Sequence, residues 1–207
     1  MNVELNKIKE WLASCGYYPQ AYCDLSKNKD GDALVNDNTV GAYNFDDVVS
    51  YFYNESTINR SSSCDGLLLK SHLYLIEFKN LGKQSGGFLA LGPNTLSNSA
   101  LKQVVTILAK VESKLIESLY LLDKKIIAPL EVDDSKFEKR AIVIYNGDEN
   151  AVKATAQARG RVSGRRNSKW GNHARFAAKG KTGERIFFDK VQVIPSTMFS
   201  TEIKKIT

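Results

Sequence analysis

The feature that most constrains the fold is a long amphipathic segment that lies between apolar, strand-like runs. From Ser99 onward, apolar residues recur at steps of three and four for about six turns, which predicts one long helix. Apolar runs occupy residues 64–69 and 73–78 before it, and residues 141–145 after it. A helix that crosses between two strands of one sheet places them in parallel. We therefore expect an α/β fold, with a mixed central sheet flanked by helices.

Shorter patterns predict the elements around this unit. Residues 3–13 have helical spacing that ends at Gly16, and Asn44 can cap a second helix that frays near Asn54. Residues 24–44 are rich in Asp, Asn, Lys and Gly, which indicates a loop or an irregular hairpin. A glycine-rich loop is expected at 80–97, a helix at 149–158 and a last strand at 186–194.

Membrane, secretory and zinc-binding classes fit the sequence poorly. The longest apolar runs fall far short of the about 18 residues that span a bilayer, so no membrane partner is expected. The first residues lack the pattern of a secretory signal, and we expect a cytoplasmic protein. The three cysteines form no CxxC pair, which argues against a structural zinc site and a disulfide framework.

Positive charge is concentrated in one stretch of the chain. Residues 153–190 contain eleven Lys and Arg and two acids, a net charge of +9 in a chain whose total is +6. A basic excess confined to one segment is typical of a surface that binds a polyanion, and a solvated basic loop is the alternative. The residues expected to bind nucleic acid are Arg159, Arg161, Arg165, Arg166, Lys169 and Arg175.

The two runs before the long helix carry three charged residues in a suggestive arrangement. Glu77 and Lys79 are two apart on the second run, so the alternation of a strand puts both on one face and the residues between and beside them on the other. Asp65 opens the first run, and a tight turn at 70–72 brings it opposite the end of the second. Two carboxylates and an ammonium should therefore converge at one edge of an apolar sheet.

Such a cluster suits phosphodiester cleavage. Two neighbouring carboxylates favour a hard divalent cation such as Mg²⁺ or Mn²⁺. The cation would polarise a phosphoryl oxygen and lower the pKa of a bound water, while Lys79 positions that water or stabilises developing negative charge. The alternative is a surface hairpin whose cross-strand Glu–Lys pair contributes at most about 1 kcal/mol.

This motif resembles that of the PD-(D/E)XK nuclease superfamily, which has the restriction-endonuclease-like fold. Asp65 is followed after eleven residues by Glu77-Phe78-Lys79 on a hydrophobic strand, and the expected order of elements is similar to the superfamily's αβββαβ core. The resemblance covers about residues 45–145. It implies that Asp65 and Glu77 bind the metal, that Phe78 contributes a backbone carbonyl, and that Lys79 acts on the attacking water.

Some positions depart from the pattern or leave it incomplete. Cys64 stands where the superfamily's name has proline. Many members carry a further metal-binding acid on the preceding helix, for which Glu55 is the first candidate and Asp47 the second. Some members place a polar residue that contacts the site early in the helix after the motif, where this chain has Lys102 and Gln103; a solvent-facing role is the alternative.

The resemblance and the basic segment together define the expected function. We expect a single nuclease-like domain over residues 1–207, with a core at about 45–145 and a basic nucleic-acid-binding segment at about 150–190. It would be a metal-dependent endonuclease, a phosphodiesterase that uses Mg²⁺ or Mn²⁺, with DNA favoured over RNA as substrate. A homodimer is an open alternative to a monomer. The alternative function is a catalytically inactive nuclease-like module that binds nucleic acid or a partner protein.

Overall fold

The structure is a computed structural model that describes residues 2–53, 63–80, 98–145 and 187–206. These residues form a six-stranded mixed sheet whose strands lie side by side in chain order. The strands are β1 Gln20–Ala21, β2 Val40–Asn44, β3 Gly66–Leu69, β4 Leu73–Lys79, β5 Lys139–Tyr145 and β6 Lys190–Pro195. The α-helices are α1 Val3–Ser14, α2 Tyr22–Leu25, α3 Phe45–Ser50, α4 Asn98–Leu122 and α5 Phe199–Lys204.

The strand directions follow from the connections between the strands. Strands β1, β2, β3 and β4 pair with one another antiparallel, and the predicted hairpin is confirmed because Gly66 of β3 pairs with Ile76 of β4. Strands β4, β5 and β6 are parallel, with Leu73 in register with Lys139. The predicted long helix is confirmed as α4, and it crosses from the end of β4 to the start of β5. The chain is therefore an α/β protein with a mixed sheet, as the sequence indicates.

Side chains alternate along β4, so the two faces of the sheet meet different helices. Leu73 and Leu75 lie in a buried cluster with apolar residues of α1 and α4. Tyr74, Ile76 and Phe78 lie in a second cluster, with residues of α2 and α5. Glu77 and Lys79 continue the alternation that begins with Leu73 and Leu75. Their side chains therefore point to the face of the sheet that α4 covers.

Several element boundaries differ from those expected. The 24–44 segment, expected to be a loop or an irregular hairpin, includes the regular strand β2, because Tyr43 pairs with Leu67 of a strand more than twenty residues away. The helix capped by Asn44 is confirmed at its start and ends early, at Ser50. The last strand begins at Lys190 rather than at 186. The predictions for residues 81–97 and 149–158 lie outside the described residues.

Helix α4 supports the segment that leads into the site through one buried hydrogen bond. The Ser118 hydroxyl accepts the Cys64 N–H at 2.7 Å, and both residues are buried. Cys64 directly precedes Asp65, so this bond fixes where the Asp65 backbone begins relative to the helix. In the part of the chain that the structure describes, no helix is long and apolar enough to cross a membrane.

We expect Ser118→Ala to lower the free energy of unfolding by about 1–3 kcal/mol, because it leaves the buried Cys64 N–H without an acceptor. Urea unfolding measures this loss. Ser113→Ala is the matched control, since it removes the same hydroxyl from an exposed position of the same helix. Equal stabilities of the two variants would contradict this role for Ser118.

Candidate active site

The charged residues predicted from the sequence converge at one end of the sheet. Asp65 immediately precedes β3, and the pairing of Gly66 with Ile76 brings it beside Glu77 on β4. Lys79 continues β4 on the same face, and its Nζ lies 3.9 Å from Glu77 Oε1. The Glu77 side chain is only 1% exposed, whereas the Asp65 and Lys79 side chains are 21% and 16% exposed. The site is thus a buried carboxylate with a partly open rim.

A second lysine, Lys114 of α4, connects the two carboxylates. Its Nζ lies 2.9 and 3.0 Å from the two carboxylate oxygens of Glu77 and 3.4 Å from Asp65 Oδ1. Contacts this short are charge-assisted hydrogen bonds. One ammonium therefore bridges both acids, which shows that Asp65 and Glu77 are close enough to share a single cation.

Backbone groups anchor Asp65 from two sides. Its Oδ2 accepts the Phe78 N–H at 2.6 Å, and its backbone carbonyl accepts the Phe45 N–H at 3.1 Å. The first bond ties Asp65 to β4 between the two charged residues of that strand, and the second ties it to the start of α3. The main chain consequently holds one carboxylate oxygen of Asp65, and Lys114 contacts the other.

Burial dominates the electrostatics of the site. It raises the pKa of Glu77 from its ordinary 4.5 to about 8, and the neighbouring Asp65 carboxylate adds to the rise. Burial also raises the pKa of Asp65, against the opposing attraction of Lys114. For Lys114 burial acts to lower the pKa, but attraction to Glu77 and Asp65 outweighs it and the pKa is raised. The metal-free site thus holds a firmly protonated lysine next to a carboxyl that is hard to ionise.

An acid of α3 that the sequence analysis did not name, Asp46, acts electrostatically on the site. Its charge raises the pKa of both Asp65 and Lys114, and its side chain accepts a hydrogen bond from the Ser63 hydroxyl. Asp47, the second candidate, is exposed and borders a surface depression with Tyr17 and Tyr18. Glu55, the first candidate, lies outside the described residues.

Lys114 was not among the residues predicted from the sequence. On α4 the buried apolar stripe runs through Val111, Leu115, Leu119 and Leu122, and Lys114 and Ser118 fall within the same stripe. Two polar residues on an inward-facing stripe are the signal that could have identified it. Lys102 and Gln103, the helix residues that the sequence did suggest, lie on a part of α4 whose side chains are not described.

The donor set suits a hard divalent cation. Carboxylate oxygens are preferred ligands of Mg²⁺ and Mn²⁺, and Asp65 and Glu77 already share one cationic group. Among the described residues, no group of three or more His, Cys, Asp or Glu side chains could hold a metal ion. A metal at this position would therefore be held by two carboxylates, with its other ligands supplied by backbone carbonyls or water.

The residues expected to contact nucleic acid lie outside the described residues, as does the whole of 146–186. The point at which that segment leaves the sheet is described. Tyr145, the last residue of β5, is in register with Lys79. The last described residue before the basic segment therefore lies at the end of the sheet that carries the site.

Comparison with known proteins identifies no relative. No protein-family model matches the chain, and no curated protein or solved structure is similar enough to count as a match. What the fold defines is the class, an α/β protein with a six-stranded mixed sheet and several helices. Any more specific function has to be argued from the geometry around Asp65 and Glu77.

The raised pKa of Glu77 predicts how stability depends on pH. Between pH about 4.5 and about 8 the folded protein keeps a proton on Glu77 that the unfolded chain has lost. The contribution of Glu77 to the free energy of unfolding is therefore full below pH about 4.5 and falls as the pH rises to about 8. Glu77→Gln cannot titrate, so we expect its stability to decline less over this range than that of the wild type.

Urea unfolding at several pH values between 5 and 9 tests this expectation. Glu10→Gln is the control, because Glu10 is exposed on α1. Parallel stability curves for wild type and Glu77→Gln would show that Glu77 is ionised throughout, against the interpretation given above.

Proposed function

We propose that this protein is a metal-dependent nuclease of the PD-(D/E)XK superfamily that hydrolyses phosphodiester bonds, with DNA as the favoured substrate. The observation that carries the proposal is the shared cation. Asp65 and Glu77, from two neighbouring strands, hold one ammonium at 2.9–3.4 Å at the end of an apolar sheet. Burying two acids together costs stability, and a cation-dependent function explains their presence.

The arrangement of elements supports the more specific fold assignment. Helix α1 precedes the antiparallel run β2, β3 and β4, and α4 then crosses to the parallel strand β5. This order is similar to the αβββαβ core of restriction-endonuclease-like proteins, with α3 inserted between β2 and β3. Asp65 immediately precedes β3, and Glu77 and Lys79 lie on β4. The superfamily motif likewise has its acids and its lysine on two such neighbouring strands.

Each residue has a distinct role in the proposed reaction. Asp65 and Glu77 bind a divalent ion, Mg²⁺ or Mn²⁺, and the Phe78 carbonyl is the backbone ligand that the resemblance implies. When bound, the ion supplies Lewis acidity toward a phosphoryl oxygen and toward a water. Lys79, on the open rim beside Glu77, orients the attacking water and stabilises negative charge on the phosphate.

The basic segment supplies the attraction for the substrate. Residues 153–190 carry a net charge of +9, which leaves −3 for the rest of the chain. Arg159, Arg161, Arg165, Arg166, Lys169 and Arg175 are the proposed phosphate contacts. Strand β5, which precedes this segment in the chain, ends at Tyr145 in register with Lys79.

We expect purified protein to cleave DNA with Mg²⁺ or Mn²⁺, and Lys79→Ala to reduce the rate by at least about 100-fold while DNA binding persists. Asp65→Ala and Glu77→Ala should weaken metal binding as well as cleavage. Plasmid, single-stranded DNA and RNA, each incubated with either metal, provide the assay. Lys70→Ala is the matched control, because Lys70 is an exposed lysine in the turn at the other end of the β3–β4 hairpin.

Two results would separate this proposal from its alternative. Wild type that cleaves none of these substrates and binds neither metal in calorimetry would overturn the nuclease assignment. Salt-sensitive nucleic-acid binding without cleavage, unchanged in Asp65→Ala, would instead identify an inactive binding module.

The double substitution Arg165→Ala and Arg166→Ala should weaken nucleic-acid binding for all sequences alike. We expect the slope of log affinity against log salt concentration to become shallower by about 2, because two phosphate contacts are lost. Fluorescence anisotropy at several salt concentrations measures the slope. Lys27→Ala with Lys29→Ala, exposed positions near α2, should leave it unchanged; an equal loss there would point to general charge rather than to this segment.

A further inference from the structure

Lys114 occupies the place that a shared metal ion needs. Its ammonium takes three of the four carboxylate oxygens of Asp65 and Glu77, at 2.9, 3.0 and 3.4 Å. The fourth, Asp65 Oδ2, is taken by the Phe78 N–H at 2.6 Å. A divalent ion would need those same oxygens as ligands at about 2.0–2.1 Å.

A carboxylate oxygen has two lone pairs, so it is space and charge, rather than lone pairs alone, that set the ammonium and a metal ion in competition at these oxygens. A lysine has three N–H donors, and Lys114 has three carboxylate contacts to receive them. Two cations bound to the same pair of oxygens would also repel each other strongly in a poorly solvated site. Binding of one therefore requires the other to leave.

Lys114 is placed so that it can leave. Its side chain is 23% exposed, and a lysine has a flexible four-carbon stem, so the ammonium can swing away from the acids while the helix stays in place. Lys79 does not duplicate the contact, because its Nζ lies 3.9 Å from Glu77 Oε1, beyond hydrogen-bonding distance. The two lysines thus differ in their contacts: Lys114 bridges both acids, and Lys79 stands farther from Glu77.

We propose that Lys114 is an internal counter-cation of Asp65 and Glu77, which a divalent metal ion displaces when it binds. The inference rests on the proposed metal-dependent function and adds a regulatory element to it. In the metal-free protein Lys114 holds the two acids together in one place. Because each metal ion must displace it, Lys114 lowers the metal affinity and so sets the metal concentration at which the site fills.

Calorimetry with Mn²⁺ at about pH 7.5 tests this directly. Lys114→Met keeps the length of the stem and removes the charge, and we expect it to bind Mn²⁺ at least about fivefold more tightly than the wild type. Lys110→Met, an exposed position one turn earlier on α4, is the matched control and should bind as the wild type does.

The outcomes distinguish this inference from the proposed function. If wild type binds Mn²⁺ and Lys114→Met binds it equally or more weakly, displacement is refuted while the metal site stands. If none of the three proteins binds Mn²⁺, the proposed metal-dependent function fails and the inference fails with it.

A measurement on the wild type alone covers the case in which Lys114→Met does not fold. Amine acylation followed by peptide mass spectrometry reports whether each lysine is held in an ion pair. We expect Mn²⁺ to increase acylation of Lys114 several-fold and to leave Lys110 unchanged. An unchanged or lower rate at Lys114 with Mn²⁺ bound would refute displacement.

Discussion

The site depends on the neutralisation of a buried carboxylate. Glu77 is 1% exposed at the end of an apolar strand, where an isolated charge is very costly. The Lys114 ammonium, 2.9 Å from Glu77, offsets part of this cost, although burial still raises the pKa of Glu77, and it comes from α4 rather than from the sheet. Removing one partner of such a pair typically costs about 3–5 kcal/mol. The packing of α4 on the sheet therefore determines which charge lies next to Glu77.

The same helix positions the other acid. Ser118 lies one turn after Lys114 and accepts the N–H of Cys64, while Lys114 contacts the side chain of the following Asp65. Helix α4 thus contacts the segment that leads into β3 at two points, the backbone N–H of Cys64 and the carboxylate of Asp65. A small shift of the helix would change both, which explains why the inward stripe of α4 carries two polar residues among leucines.

The parts of this arrangement that the sequence predicts are those set by local periodicity. Alternation along β4 placed Glu77 and Lys79 on one face, and the three-and-four spacing gave the helix that makes β4 and β5 parallel. Lys114 and strand β2 were missed because they depend on contacts between distant parts of the chain. A lysine on a helix is usually solvated, and only the packing of α4 on the sheet turns Lys114 inward.

The distribution of charge along the chain is consistent with the proposed function. A site built around two acids repels a phosphodiester, and outside residues 153–190 the chain carries a net charge of −3. In the proposed function, attraction comes from bound cations and from the +9 segment at residues 153–190. In the proposed function, separating a buried acidic site from a basic segment would let the protein bind a polyanion without placing arginines against Glu77, where they would compete with the proposed metal ion.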